Sequence, residues 1–229
     1  MVPLPAGSLL LDASSPPEPQ IGAIEAFAIG KYEVTRAEFA IFVAETGHGS
    51  GDCQPGEIEF KWCNLPFLQT EQDPVVQIDW HDAIAYTRWL SRKTGKSYRL
   101  PTDKEWEYAA SAGSSTDRYW RDRRTACQFG NIADLAFALA YGSSEVFECA
   151  DGFPNTAPVG AFRPNAFGLH DMIGNAWEWT TGCSGGEECT LYFIRGGGWN
   201  TSPSHFRRGL RLDDDAAVFY VGFRVARSH

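Results

Sequence analysis

Residues Asn165–Trp179, NAFGLHDMIGNAWEW, together with Arg195–Trp199, RGGGW, decide the architecture of this 229-residue chain. The first stretch interleaves glycine, asparagine, acids and tryptophan too closely for a helix of useful length. Gly168 and Gly174 stand where a chain turns, and Trp177 and Trp179 are spaced as neighbours on one face of a strand. Asp171 and Glu178 lie close to Asn175 and to turn carbonyls, an oxygen-rich set of the kind a hard cation such as calcium takes. The competing reading is a tryptophan-rich core segment flanked by solvated acids.

Outside that stretch, 43% hydrophobic and 14% aromatic content is enough for one large core. No Ser/Gly-rich linker or charge run divides the chain, so residues 1–229 are expected to form one domain. A formal net charge of −9 and a pI near 5.0 argue against nucleic acid as a partner. Only Arg121–Arg124 and Arg207–Arg211 are locally basic, short of the stripe a phosphate backbone needs. No apolar run is long enough to span a membrane. Met1 leads into VPLPAGSLLLD, without a basic n-region or a long apolar h-region. A secretory signal is therefore not expected, and a cytoplasmic location is favoured unless these residues are cut from a longer chain. Without an export signal, Cys53, Cys63, Cys127, Cys149, Cys183 and Cys189 are expected as free thiols, although Cys53/Cys63 and Cys183/Cys189 could each close a short ring. No C-x-x-C pair suggests structural zinc.

Residues 1–20, rich in proline and small residues, read as loop, and 22–34 as short strands around Ile29 and Tyr32. Thr35-Arg36-Ala37-Glu38 is a capping box opening a helix that Gly47 stops. A second helix is expected from about His81 to Lys93, with Ala83, Tyr86, Thr87 and Leu90 inward and Gly95 at its end. Thr102-Asp103-Lys104-Glu105 is a second capping box, opening a helix to about Ala112. Beyond Gly113 the chain reads as long irregular loops, which in a compact domain are functional or pinned by ions or disulfides. Val218–Val225, VFYVGFRV, reads as a closing strand. Few helices, short strands and long loops make the class α+β.

EVTRAEFAIFV, PVVQIDWHDAIAYTRWLS, YRLPTDKEWEYAA, CQFGN, TAPVGAFRPNAFGLHDMIGNAWEW, RGGGW and the terminal GFRVAR follow one another in this order. In this the chain resembles the formylglycine-generating-enzyme, or sulfatase-modifying-factor, family, whose domains have a C-type-lectin-like fold. The resemblance implies two structural calcium sites. One would use Asn131 and the carbonyl of Ile132 with Asp151 and the carbonyl of Phe153; the other Asp171, the carbonyls of Gly174 and Ala176, and Glu178. Asp171 stands where the family often has asparagine, which keeps an oxygen ligand and adds charge. Such sites would pin loops with too little apolar surface to order themselves.

The oxidase members of that family hold copper with two cysteines just after the RGG motif. Thr201 and Phe206 occupy the matching positions, and no cysteine follows Cys189. Neither a copper(I) thiolate site nor a lowered-pKa nucleophilic thiol is therefore expected. His48, His81, His170, His205 and His229 show no metal-ligand spacing, which argues against the iron-dependent branch.

The segment after Trp199 keeps Trp199, Asn200, Pro203, Arg207, Arg211, Gly222, Phe223 and Arg224, while the residues between follow no period. From Asn200 to Val221 there is no Lys, Glu, Gln, Met or Trp, the residues an AAY codon cannot reach when only its adenines change. This resembles the variable proteins of diversity-generating retroelements, which display a mutagenised C-terminal surface on this fold. The variable positions implied are Thr201, Ser202, Ser204, His205, Phe206, Leu210, Leu212, Asp213, Asp214, Phe219 and Tyr220. The expectation is a calcium-held, non-enzymatic domain binding a protein or other macromolecular ligand through about residues 200–221. The alternatives are an oxidase or iron-dependent enzyme of the same family, or a sensor domain of a larger signalling protein.

Overall fold

The computed structural model describes residues 1–10, 21–49, 60–114, 122–185, 189–207 and 209–228. The first ten residues are not loop. They form β1 (Val2–Leu4) and β2 (Gly7–Leu10), joined by β3 (Ile21–Ile24) and β4 (Phe27–Ile29). Leu4, Leu9, Ile24 and Phe27 are buried, so apolar residues of these strands enter the core. Tyr32 lies outside these strands.

The three expected helices are present. Helix α1 (Arg36–Thr46) starts at the Thr35/Glu38 capping box and ends at left-handed Gly47. Helix α2 (Trp80–Thr94) has a further box, Asp79 with Asp82, and ends at Gly95; Trp89 joins Ala83, Tyr86 and Thr87 on its buried face. After β5 (Tyr98–Arg99), α3 (Asp103–Ser111) begins at the Thr102/Glu105 box. Its left-handed cap is Ala112 rather than Gly113.

The region read as irregular contains a 3₁₀ helix (Arg123–Gln128), α4 (Leu135–Tyr141), β6 (Trp177–Ser184) and β7 (Leu191–Arg195). The chain closes with β8 (Arg211–Asp214), β9 (Val221–Gly222) and β10 (Ala226–Ser228). The single closing strand expected over Val218–Val225 is thus broken. Only Val221 and Gly222 pair, in parallel with Trp177 and Glu178. Gly222 is packed so tightly that a Cβ there would stand 2.3 Å from the Val75 carbonyl oxygen.

One sheet has the order β1-β4-β10-β5, so the first and last strands flank β4 and tie the chain ends together. The other four-stranded sheet is β8-β7-β6-β9. Between α1, α2 and this sheet lies an aromatic core of Phe39, Phe42, Tyr86, Trp89, Trp177, Trp179 and Phe223. A second cluster joins β1–β4 to Trp106, Tyr108 and Met172, and a third gathers Ala126, Cys127, Ile132, Phe147, Ile173 and Phe206. The free-thiol expectation is overturned: Cys127–Cys149 and Cys183–Cys189 are disulfides. The Cys53/Cys63 ring involves Cys53, which lies outside the described residues.

Candidate functional site

Asn131 and Asn175 join the two oxygen-rich sets. Asn175 N–H donates to the Asn131 carbonyl (2.8 Å), and the Asn131 Nδ2 donates to Asn175 Oδ1 (3.2 Å). Gly174 permits this approach; with φ +72°, a Cβ there would lie 1.9 Å from the Asn131 carbonyl oxygen. Both asparagines are wholly buried.

In the first set, the backbone N–H groups of Ile132 (3.1 Å) and Phe153 (2.8 Å) donate to the carboxylate of Asp151. Burial pushes the Asp151 carboxyl up to about 7 against those two donors, and Asp134 adds repulsion. The Asn131 Oδ1 is buried without a hydrogen-bond partner. An acid held back from ionising and an unsatisfied amide oxygen are the kind of side-chain oxygens a divalent cation takes, so Asp151 and Asn131 fit that chemistry. Cys127, Asp134 and Asp151 bring potential ligand atoms within 4.8 Å of one another, but Cys127 is oxidised and offers no thiolate.

In the second set, Asp171 is buried with φ +56°; its Oδ2 accepts from Gly160 N–H (2.6 Å) and its Oδ1 has no partner. Burial raises its carboxyl to about 6. Glu178 differs. Its carboxylate accepts from Arg224 Nη2 (2.6 Å), Arg224 Nε (2.7 Å) and Trp106 Nε1 (2.6 Å), all fully buried. It already has its counter-charge and fits a cation less well than Asp171 does. Gly174 N–H donates to Gly196 O, and Ala176 N–H to Glu33 Oε1 (3.1 Å). Glu33 was not anticipated as part of the site. It is buried, accepts also from Asn175 Nδ2 (2.9 Å), and its carboxyl is raised well above the ordinary range by burial, then by Asp171 and Glu178. Its only sequence signal is an acid wedged between Tyr32 and Val34 just before a helix cap.

The C-terminal candidates divide by burial. Ser202, His205, Leu210, Leu212 and Tyr220 join Trp177, Asn200 and Thr201 around one open depression of about 300 Å³. Leu212, Asp213 and Asp214 lie on β8, the edge strand, with Asp213 accepting from Ser184 Oγ (2.7 Å). Phe219 is exposed, with ring contacts to Phe67 (6.4 Å), Trp199 (6.3 Å) and Tyr220 (5.6 Å). Burial, then Asp214, raises the Tyr220 phenol. The Ser202 hydroxyl meets His205 Nδ1 (2.9 Å) and Ser204 (3.1 Å), and the Ser204 hydroxyl, then Ser202 and His205, hold the exposed Glu145 below the usual carboxylate range. Glu145 is a second group that sequence reasoning missed. Both serines address the same ring nitrogen and, among the described residues, no buried acid is hydrogen-bonded to the ring, so the cluster makes a hydrogen-bonding rim.

Two variable positions require correction. Thr201 is 7% exposed and Phe206 4% exposed. Thr201 Oγ1 accepts from Gly198 N–H (2.8 Å), and Phe206 packs 5.8 Å from Phe147 and against Gly197. Phe206 does not line the depression, and Thr201 offers it only a small part of its wall; both hold up the turn on which the other positions sit.

The order of strands, the joined chain ends and the loop-borne oxygen sets define a loop-rich α+β domain of the C-type-lectin-like class. Residues 1–229 match the family described as "Sulfatase-modifying factor enzyme 1-like domain", and the chain belongs to that family. It is 31% identical over 226 residues to the formylglycine-generating enzyme of Bos taurus, covering 79% of this chain but only 57% of that protein's length. The structure of PvdO from Pseudomonas aeruginosa is similar with a TM-score of 0.76 and 31% identity, covering 99% of this chain and 93% of the other. Treponema denticola variable protein 1 shares the fold with a TM-score of 0.71 and 21% identity, over 100% of this chain and 95% of its own.

Proposed function

We propose that this chain is a non-catalytic binding domain whose diversified C-terminal surface takes a macromolecular ligand. One observation carries the reading. Ser202, His205, Leu210, Leu212 and Tyr220 line one open depression, while the two positions at which the family's oxidases would hold copper are filled by a threonine and a buried phenylalanine. A hydroxyl bound to backbone and a hydrocarbon ring give copper(I) no soft ligand. The rim of Ser202, Ser204 and His205 beside Leu210, Leu212, Phe219 and Tyr220 supplies adaptable hydrogen bonds around apolar anchors, the composition of a paratope. The fold shared with a variable protein supports the reading.

Calcium serves as a structural ion in this proposal, held by Asn131, Ile132, Asp151 and Phe153 and, more weakly, near Asp171, Gly174 and Ala176 with Glu178 already neutralised by Arg224. It supplies fixed positive charge to buried oxygens. The two disulfides support an oxidising compartment for the folded chain.

The test is a comparison of the 3′ coding region across sister strains. Substitutions are expected at Ser202, Ser204, His205, Leu210, Leu212, Asp213, Asp214, Phe219 and Tyr220, sparing Thr201 and Phe206. Substitutions scattered through the core would defeat the proposal. The sequence identity to a formylglycine-generating enzyme favours a second reading, a family oxidase with displaced ligands. Stoichiometric copper or iron in the purified protein would move the assignment there.

A further inference from the structure

Helix α4 reads LAFALAY, seven apolar residues of which none is buried. Leu139 is 91% exposed, Tyr141 52% and Leu135 51%. A short helix with no buried side chain has little reason to be ordered by packing. Here other devices order it. Asp134 caps its first turn through bonds from Ala136 N–H (2.8 Å) and Phe137 N–H (3.0 Å), Gly142 closes it in the left-handed conformation, and the Cys127–Cys149 disulfide clamps the segment that contains it. The rings of Phe137 and Tyr141 each rest 5.7 Å from Trp199, which fixes the helix's rotation and turns the opposite rows outward.

Those rows have a definite shape. Leu135 and Leu139, four residues apart, form a ridge, and Ala136 and Ala140 form the shallow row beside it. We propose that α4 is a self-association face: a second copy, related by a two-fold axis, sets its Leu135/Leu139 ridge over the Ala136/Ala140 row of the first. A ridge and a groove on the same helix are self-complementary, which a two-fold interface requires. Charge points to the same occupant. Each copy carries a net charge of −9, so most of its surface repels another copy, yet residues 135–144 contain no charged side chain. Phe67 adds a third ring against Trp199, at 5.6 Å. A helix of this length spans only about 10 Å, so the contact falls at or below the roughly 1,000 Å² of a stable interface and the dimer is weak. Trp199 also contacts Phe219, so the α4 face adjoins the C-terminal surface. The inference stands whether or not the C-terminal surface is diversified.

Sedimentation velocity with the calcium-loaded protein from about 10 μM to about 1 mM tests it. The wild-type mass should rise from 25.3 kDa towards twice that value over the range. Leu139→Asp and Ala140→Glu, both at exposed positions, should each hold the protein at the monomer mass with unchanged thermal unfolding. A wild-type monomer at every concentration, or a dimer indifferent to both substitutions, overturns the proposal. The first result leaves the face to a different protein.

Discussion

Phe206→Ser separates a supporting residue from a contact residue. Serine is one of the residues that adenine-directed change could place at a diversified codon, so a truly variable position must tolerate it. The structure says that Phe206 cannot. Its ring is 4% exposed and packs with Ala126, Cys127, Ile132, Phe147 and Ile173, and its edge lies where a Cβ on Gly197 would come within 2.5 Å. Truncating a buried phenylalanine costs about 3–5 kcal/mol, and a hydroxyl left in the cavity adds to that. About 4 kcal/mol in a chain of this size lowers Tm by roughly 8–16 °C. Leu212→Ser is the internal control: at 44% exposure it should change stability by no more than about 0.5 kcal/mol. Thermal unfolding by circular dichroism in excess calcium reads both. If Phe206→Ser unfolds within about 1 kcal/mol of wild type, the ring is not supporting the turn and the division between buried and displayed positions is wrong.

Further outcomes follow from the buried charges and the covalent links. In the ion-free protein the folded Asp151 carboxyl sits at about 7 against an ordinary 3.8, so the folded state holds a proton that the unfolded state has released. Its contribution is fully present below about pH 4 and is lost as pH rises through about 7. Calcium should therefore raise Tm more at about pH 8 than at about pH 5, and an increment independent of pH would count against Asp151 as a ligand. Asp151→Asn should shrink the calcium increment measured against a chelator. Arg224→Met leaves Glu178 and Glu33 without their buried cation and should cost about 3–5 kcal/mol in denaturant unfolding, or prevent folding. Replacing Cys127 and Cys149 together by alanine opens a loop of sequence separation 22 and should cost about 3 kcal/mol, readable as a loss of denaturant midpoint.

Short-range chemistry was legible from the residues alone. The boxes Thr35/Glu38 and Thr102/Glu105 are closed by groups three residues apart, and the left-handed Gly47 and Gly95 need no tertiary partner to be favoured. The ordered blocks around NAFGLHDMIGNAWEW and RGGGW likewise fixed the family and with it the α+β class. What escaped depends on distant parts of the chain. Leu4 and Leu9 become strand residues because β4 and β3 lie beside them, and Cys127 is oxidised because folding brings Cys149 to it. Glu33 enters the oxygen-rich site across 142 residues to Asn175. Thr201, Ser202 and Phe206 look alike as members of an aperiodic loop, yet Gly197, Gly198 and Phe147 draw the first and last into the core and leave the middle one at the rim. Residue type set which groups could bind a cation or a ligand; burial, a property of the packed whole, decided which of them face one.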